Sequence, residues 1–175
     1  MHTDEVRRIA HDPEAIENFY RLHVEAILGF VSRRVRDPHV AADLTADVFL
    51  AATESASTFD PRRGEARGWL FGIARNVVHT EYRRVARDQQ MHERVAGRRL
   101  LDDDDIERLQ ERIDAESVSR ALLDDIARLP QSERAVLELV AVDQLTVTEA
   151  AAALGIRAVT ARVRSSSPNA THTWV

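Results

Sequence analysis

The chain has 175 residues, of which 44% are hydrophobic, 30% charged and 5% aromatic, the balance of one ordinary globular domain or two small ones rather than of a disordered chain. No apolar run approaches the roughly 20 residues that span a bilayer, the polar and acidic start Met1-His2-Thr3-Asp4-Glu5 is no signal peptide, and the absence of cysteine excludes a disulfide scaffold, a thiolate zinc site and thiol chemistry. With a net charge of -5, six glycines and five prolines, a cytoplasmic, all-α protein is expected, and a many-turned β barrel or sandwich is not.

Residues from about Pro13 to Arg36 carry one apolar stripe of Ile16, Phe19, Tyr20, Val24, Ile27, Phe30, Val31 and Val35. Its spacing of three and four predicts an amphipathic helix. Asp12 can cap its start, with Pro13 at the first helical position. Asp37-Pro38 breaks it, and a second helix is expected from about Val40 to Ser55, with Leu44, Val48, Phe49 and Ala52 inward. Residues 57–64 read as a loop by their turn residues. A third helix is expected from about Ala66 to Arg87, with Trp69, Leu70, Ile73, Val77, Val78 and Tyr82.

Residues 89–116 lose that regularity and contain the run Asp102 to Asp105. They read as a flexible or partly helical acidic linker between two small lobes. Patterning resumes with Val118, Leu122, Leu123, Ile126 and Leu129, stops at Pro130, and restarts from about Gln131 to Val142. Thr146-Val147-Thr148-Glu149 has the spacing of a capping box. A short helix rich in alanine follows, then Gly155 as a tight turn, Ile156 as an apolar plug and a second short helix near Arg157. That order is either a helix-turn-helix, whose second helix enters a major groove, or an ordinary helical hairpin with a glycine cap. In the first case Thr160, Arg162 and Arg164 face phosphates or base edges.

All 24 basic residues are arginine. From Asp60 to Arg99 ten arginines stand against five acids, a net of +5, and from Leu101 to Asp125 ten acids stand against three arginines, a net of -7. The separation suits two partners with different surfaces, and equally suits arginine-rich composition on solvated faces. The segment from Phe59 to Arg87 sets aromatics beside Arg67, Arg75, Arg83, Arg84 and Arg87. Bases stack on rings while guanidinium groups neutralise phosphates, so the pattern suits single-stranded DNA. Asn76 can hydrogen-bond a base edge. Trp69 reads either as a stacking platform or as core, since Leu70 and Ile73 beside it are apolar.

In order and spacing from about Phe19 to Arg164, several motifs together resemble the extracytoplasmic-function (ECF) sigma factors of bacterial RNA polymerase. They are Asp43-Leu44-Thr45-Ala46-Asp47-Val48-Phe49, Phe59-Asp60-Pro61, Gly68 through Asn76, Tyr82-Arg83-Arg84, Leu129-Pro130-Gln131-Ser132-Glu133-Arg134, and Thr146 through Arg164. The resemblance implies a region 2-like domain over 1–88, a linker over 89–116, a region 4-like helix-turn-helix domain over 117–164 and an irregular tail over 165–175. It implies docking on core polymerase through Asp43, Leu44, Asp47, Val48 and Phe49. It implies melting and capture of the −10 promoter element through Phe59, Arg67, Trp69, Arg75, Asn76, Arg83, Arg84 and Arg87. Recognition of the −35 duplex falls to Thr146, Arg157, Thr160, Arg162 and Arg164. Core RNA polymerase, promoter DNA and an anti-sigma factor are the implied partners, without stable membrane insertion, cofactor or catalysis.

The end departs from the family. The recognition helix would continue as a basic run closed by a leucine, whereas Arg164 is followed by Ser165-Ser166-Ser167-Pro168 and Asn169, which favour a turn. Arg157 also stands where a Ser or Thr commonly caps. A truncated recognition helix with weak −35 binding is expected, consistent with a shifted reading frame beyond Arg164. Two other functions fit the same residues: a helix-turn-helix regulator acting without polymerase, and a defective decoy that occupies core polymerase or an anti-sigma factor. The seven histidines form no pair at metal-ligand spacing, no glycine-rich phosphate loop occurs, and the Asp102 to Asp105 run lacks the glycine and terminal glutamate of a calcium loop.

Overall fold

The computed structural model describes residues 3–88 and 103–166, and the described chain is helical throughout, in two lobes. The first lobe holds α1 (Thr3–Arg8), α2 (Pro13–Ser32), α3 (Pro38–Ser55), two single 3₁₀ turns (Ala56–Thr58 and Pro61–Arg63) and α4 (Ala66–Asp88). Next come α5 (Asp103–Ala115), α6 (Ser117–Ile126), α7 (Gln131–Leu137), a π turn (Glu138–Val142), α8 (Val147–Leu154) and α9 (Ala158–Ser165). Among the described residues no helix is long and apolar enough to cross a membrane.

One local device starts three elements. Asp12, Asp37 and Asp60 each precede a proline, and each carboxylate accepts from backbone N–H groups just beyond it. Asp12 takes Glu14 and Ala15 at 3.0 and 3.3 Å, Asp37 takes His39 and Val40 at 2.8 and 3.3 Å, and Asp60 takes Arg62 at 3.0 Å. Proline's φ is preset for the first helical residue and its missing N–H is not needed there. The acid satisfies donors that the helix leaves open, at about 1 kcal/mol per cap.

The apolar stripes meet as the spacing demands. Phe19, Ile27, Phe30 and Val31 of α2 pack with Leu44, Val48, Phe49 and Ala52 of α3 and with Leu70, Phe71, Ala74 and Val78 of α4. Ring pairs lock the registers: Phe30 meets Phe71 edge-on at 5.5 Å and Phe19 meets Phe49 at 6.2 Å. The same cluster continues through Ile113 of α5 into Leu139, Leu145 and Ala150 of the second lobe. Smaller clusters around Ile126 and around Val136, Ala151 and Ala161 finish the second lobe.

Within the segment expected as a linker, residues 89–102 lie outside the described residues, while Asp103–Ala115 is the helix α5 docked on α2 and α3. Ile106, Leu109 and Ile113 recur at i, i+3 and i+7 and give this acidic segment one apolar face, with Ile113 fully buried. Arg112 fastens it, reaching the Glu25 carboxylate at 2.6 Å and the Glu25 carbonyl at 3.2 Å.

The α8 capping box forms as its spacing predicts: the Thr146 hydroxyl accepts from the Glu149 N–H at 3.2 Å while Glu149 accepts from the Thr146 N–H at 2.7 Å. Gly155 closes α8 in the left-handed region at φ 65°. A side chain there would meet no atom within 4 Å, so the glycine answers a conformational need alone. α9 begins at Arg157 without a side-chain cap and ends at Ser165, and the tail from residue 167 lies outside the described residues.

Two outcomes follow. Gly155→Ala lowers stability by about 1 kcal/mol with helicity kept, and Gly155→Asn by less, read by urea unfolding. His23 is buried against Phe19 with Nε2 unpartnered, and burial, helped by the Arg67 charge, pushes its pKa down to about 4. Between pH 6.5 and 4 the unfolded chain gains a proton that the folded chain refuses, so stability falls as pH drops through that window. The loss by pH 4.5 is about 2 to 3 kcal/mol at this site. Urea midpoints at pH 7 and 4.5 measure it, and His23→Leu flattens that part of the profile.

Candidate nucleic-acid interface

The sites expected on α3 divide by face. Leu44, Val48 and Phe49 turn into the core, none more than 6% exposed. This corrects their assignment as contact residues, because they lie on the stripe that packs against α2 and α4. Asp47 lies on the exposed side and Asp43 is half-buried. Any surface that α3 presents is therefore acidic, bordered by Leu50, which is 59% exposed. Asp47 and Leu50 also line a shallow groove of about 390 Å3 shared with Asn76, Val77 and Thr80 of α4.

On α4, Trp69, Asn76, Arg83 and Arg87 are spaced by seven and by eleven from Asn76, near two and three helical turns, so they share one face. The stripe runs about 27 Å at 1.5 Å per residue. Asn76, Arg83 and Arg87 are exposed. Trp69 is half-buried, and its ring meets the Phe59 ring edge-on at 5.5 Å. Phe59 itself is 3% exposed, which corrects its assignment as a DNA contact. It supports Trp69 from below because the 3₁₀ turns on either side fold the loop inward. Trp69 thus packs partly against the core and partly lines an open cleft.

Arg84 pairs with Glu81 at 2.7 Å on the exposed surface, and Arg87 donates to the Arg83 carbonyl at 3.0 Å. Arg67 points the other way. Its guanidinium holds both Glu149 oxygens at 3.2 Å and lies 5.3 Å from the Phe71 ring centre. Its expectation as a free phosphate contact is corrected to that extent, since its Nη1 is directed at Glu149. Burial pushes the Glu149 carboxyl up, but hydrogen bonds from Thr146 and Arg67 outweigh it and hold the group below its ordinary pKa.

Trp69, Arg75 and Asn76 open into one cleft of about 420 Å3 with Phe59 at its base and Arg63 at its rim. Its far wall is the end of α8, from Ala152 to Gly155. Arg63 was missed in the sequence, because its loop reads only as turn residues until the 3₁₀ turn brings it beside Trp69.

In the second lobe Arg157 and Arg162 are exposed, Thr160 and Arg164 half-buried. The Thr146 side chain is engaged in the capping box and donates to Glu149 at 2.8 Å. Val159 and Val163 occupy the outer face of α9 at 52% and 69% exposure. The sequence reading passed over them, although their i, i+4 spacing opposite buried Ala161 was a visible signal.

Residues 19–88 match the family described as Sigma-70 region 2. The chain is 29% identical over 150 residues to the ECF RNA polymerase sigma factor BldN of Streptomyces coelicolor, covering 85% of this chain and 55% of BldN. It is 22% identical over 160 residues to the ECF RNA polymerase sigma factor SigK of Mycobacterium sp. (strain KMS), covering 91% of this chain and 82% of SigK. It therefore spans little more than half the length of BldN and most of that SigK. Among solved structures, CnrH in complex with the cytosolic domain of CnrY shares the fold, with a TM-score of 0.56 over 93% of this chain and 88% of that one at 23% identity.

One titration checks the Arg67–Glu149 pairing. In Arg67→Gln the Glu149 carboxyl titrates at higher pH than in the parent, followed by carbon NMR of the side chain, while Arg75→Gln leaves it in place.

Proposed function

Because the chain belongs to the ECF sigma factors, we propose that it is a promoter-specificity subunit of bacterial RNA polymerase. The first lobe docks on core enzyme through the acidic face of α3, by Asp43 and Asp47. α4 takes the −10 element as single-stranded DNA. The second lobe offers α9 to the −35 duplex through Arg157, Thr160, Arg162 and Arg164. Sigma factors initiate transcription without catalysis of their own, and the chemistry of the polymerase supplies the reaction.

The observation that carries this reading is the α4 stripe. An aromatic face open on one flank, an amide one pair of turns along it and two exposed arginines beyond form a track for an unpaired strand. Stacking gives about 1 to 3 kcal/mol per base by alanine substitution, whatever the base. Asn76 supplies a donor and an acceptor for one base edge. Arg83 and Arg87 neutralise phosphates farther along, an interaction that weakens with salt. The net charge of -5 is no obstacle, because the subunit meets DNA as part of a holoenzyme and α4 exposes Arg75, Arg83, Arg84 and Arg87.

A protein antagonist is a further proposed partner. The related CnrH fold is seen with the cytosolic domain of CnrY, and an anti-sigma factor of comparable kind would use surfaces that core polymerase also needs.

The test is reconstitution with bacterial core polymerase on fragmented genomic DNA, followed by run-off transcript sequencing. The parent directs discrete start sites. Asp43→Arg/Asp47→Arg loses co-elution with core polymerase on gel filtration. Asn76→Ala keeps co-elution and lowers open-complex formation by about tenfold, the loss of one base-edge contact at 1 to 3 kcal/mol. Transcription by core polymerase unchanged by the parent protein would reject the reading.

A further inference from the structure

The side chains of α9 that point straight outward are not its arginines. α9 packs on α7 and α8, and α8 in turn lies along Gly68 and Gly72 of α4, four residues apart. Ala161 is turned fully inward, in a cluster with Val136 of α7 and Ala151 of α8. Counted at about 100° per residue, Val159 and Val163 stand about 40° from each other and about 160° round the helix from Ala161. They form the outward ridge of α9, at 52% and 69% exposure. Thr160 and Arg162 flank that ridge on opposite sides, Thr160 half-buried and Arg162 exposed.

Apolar residues scattered singly over a surface need no explanation. These two are neighbours at i, i+4 and make one patch. The surroundings of the patch select its occupant. The helix, Ala-Val-Thr-Ala-Arg-Val-Arg-Ser, contains no acid, and Arg157 at its start is exposed as well. A ridge of methyl groups between cationic flanks complements the major groove of duplex DNA, whose floor carries the thymine 5-methyl groups and whose rims are phosphate. A protein groove that took the two valines would need acids of its own to meet Arg157 and Arg162, whereas duplex DNA supplies anions on both sides whatever its sequence.

Spacing agrees with this assignment. A helix that enters the major groove reads bases with the residues near its start, and Val159 is the second residue of α9. Val159 and Val163 are about 6 Å apart along the helix axis, and base pairs follow one another at about 3.4 Å. The two side chains therefore span no more than two base-pair steps. Arginine selects guanine when its fork points at the groove floor. From the flank of the ridge, Arg162 is directed at the rim instead.

We propose that Val159 and Val163 are specificity-determining residues of α9: they read the 5-methyl groups of two thymines, on either strand and no more than two steps apart, while Arg157 and Arg162 hold the flanking phosphates. This rests on the assignment of α9 to the −35 duplex. Thymine is chosen at these positions by its methyl group rather than by a hydrogen bond.

Deoxyuridine is thymidine without the 5-methyl group and keeps its pairing, so it isolates the contact. The probe is a promoter recovered by run-off sequencing with the parent holoenzyme. Each thymine of its −35 element is replaced in turn by deoxyuridine, and holoenzyme affinity is read by gel shift. Two thymines within two steps are expected to be sensitive, each replacement weakening binding about fourfold, the worth of one buried methyl-sized group. Val159→Ala and Val163→Ala change exposed positions to a better helix former. Each weakens binding to the thymine promoter at least as much, and each abolishes the sensitivity at one of the two positions. A side chain that only supported the fold would lose affinity equally on thymine and uracil promoters, and that result overturns the proposal. So does a −35 element without such a thymine pair, or one in which every uracil is tolerated. Arg162→Ala then separates the two levels. Weaker binding to the −35 duplex leaves α9 as its reader through phosphates alone. Binding indifferent both to Arg162→Ala and to scrambling of the −35 element, or a parent holoenzyme that initiates at no promoter, overturns the assignment of α9 as well.

Discussion

Asp143 is the interaction on which the arrangement of the two lobes depends. It sits at the end of the π turn with no exposed side-chain surface, between two arginines at the end of α2. Withdrawing a carboxylate from water is costly by several kcal/mol, and only close, well-directed donors offset it. Arg34 supplies two in a bidentate fork and Arg33 a third, with Glu116 balancing the second positive charge. Such a group tolerates few alternative positions. Removing one partner of a buried pair typically destabilises by about 3 to 5 kcal/mol, because a charge is left without compensation.

Around that point other contacts gather. Arg34 also donates to the Phe30 carbonyl and stacks over its ring at 3.7 Å. The Tyr82 hydroxyl donates to the Arg34 carbonyl, tying α4 to the same corner. Arg120 of α6 donates to the Ser32 carbonyl at 3.1 Å. The end of α2 is thus where α4, α6 and the π turn meet. Glu138 and Tyr82, both pushed up in pKa by burial, belong to this corner as well.

Arginine serves two purposes in the molecule, and exposure separates them. Arg33, Arg34, Arg67 and Arg112 are bound to carboxylates or carbonyls of distant segments and act as structural cross-links. Arg75, Arg83 and Arg87 remain at the surface of α4, and Arg157 and Arg162 at the surface of α9. A planar guanidinium with several donors suits both tasks. Composition therefore overstates the basic surface available to DNA. The acidic stretch is likewise divided, since α5 turns Ile106, Leu109 and Ile113 toward the first lobe and its acids outward.

The sequence by itself determined what neighbours in the chain decide. The Asp12-Pro13 start, the capping box, the glycine turn at Gly155 and the apolar periods of α2, α3 and α4 each depend on residues within a few positions, and each lies where the pattern puts it, whereas Asp37-Pro38 and Asp60-Pro61, which read as a break and a loop, also start elements. The family and the α4 stripe were legible for the same reason, because motif order and helical spacing are properties of the string. Tertiary structure alone decided which charged groups remain open to a ligand. Arg67 and Thr146 look like DNA contacts in the string, yet one is held by Glu149 and the other by its own capping box. Phe59 lies beneath Trp69, and Leu44, Val48 and Phe49 belong to the core. The carboxylate partners of Arg33, Arg34 and Arg67 lie 82 to 110 residues away. No local periodicity encodes a pairing over that distance, and the glycine spacing on α4 acquires meaning only once α8 rests on it.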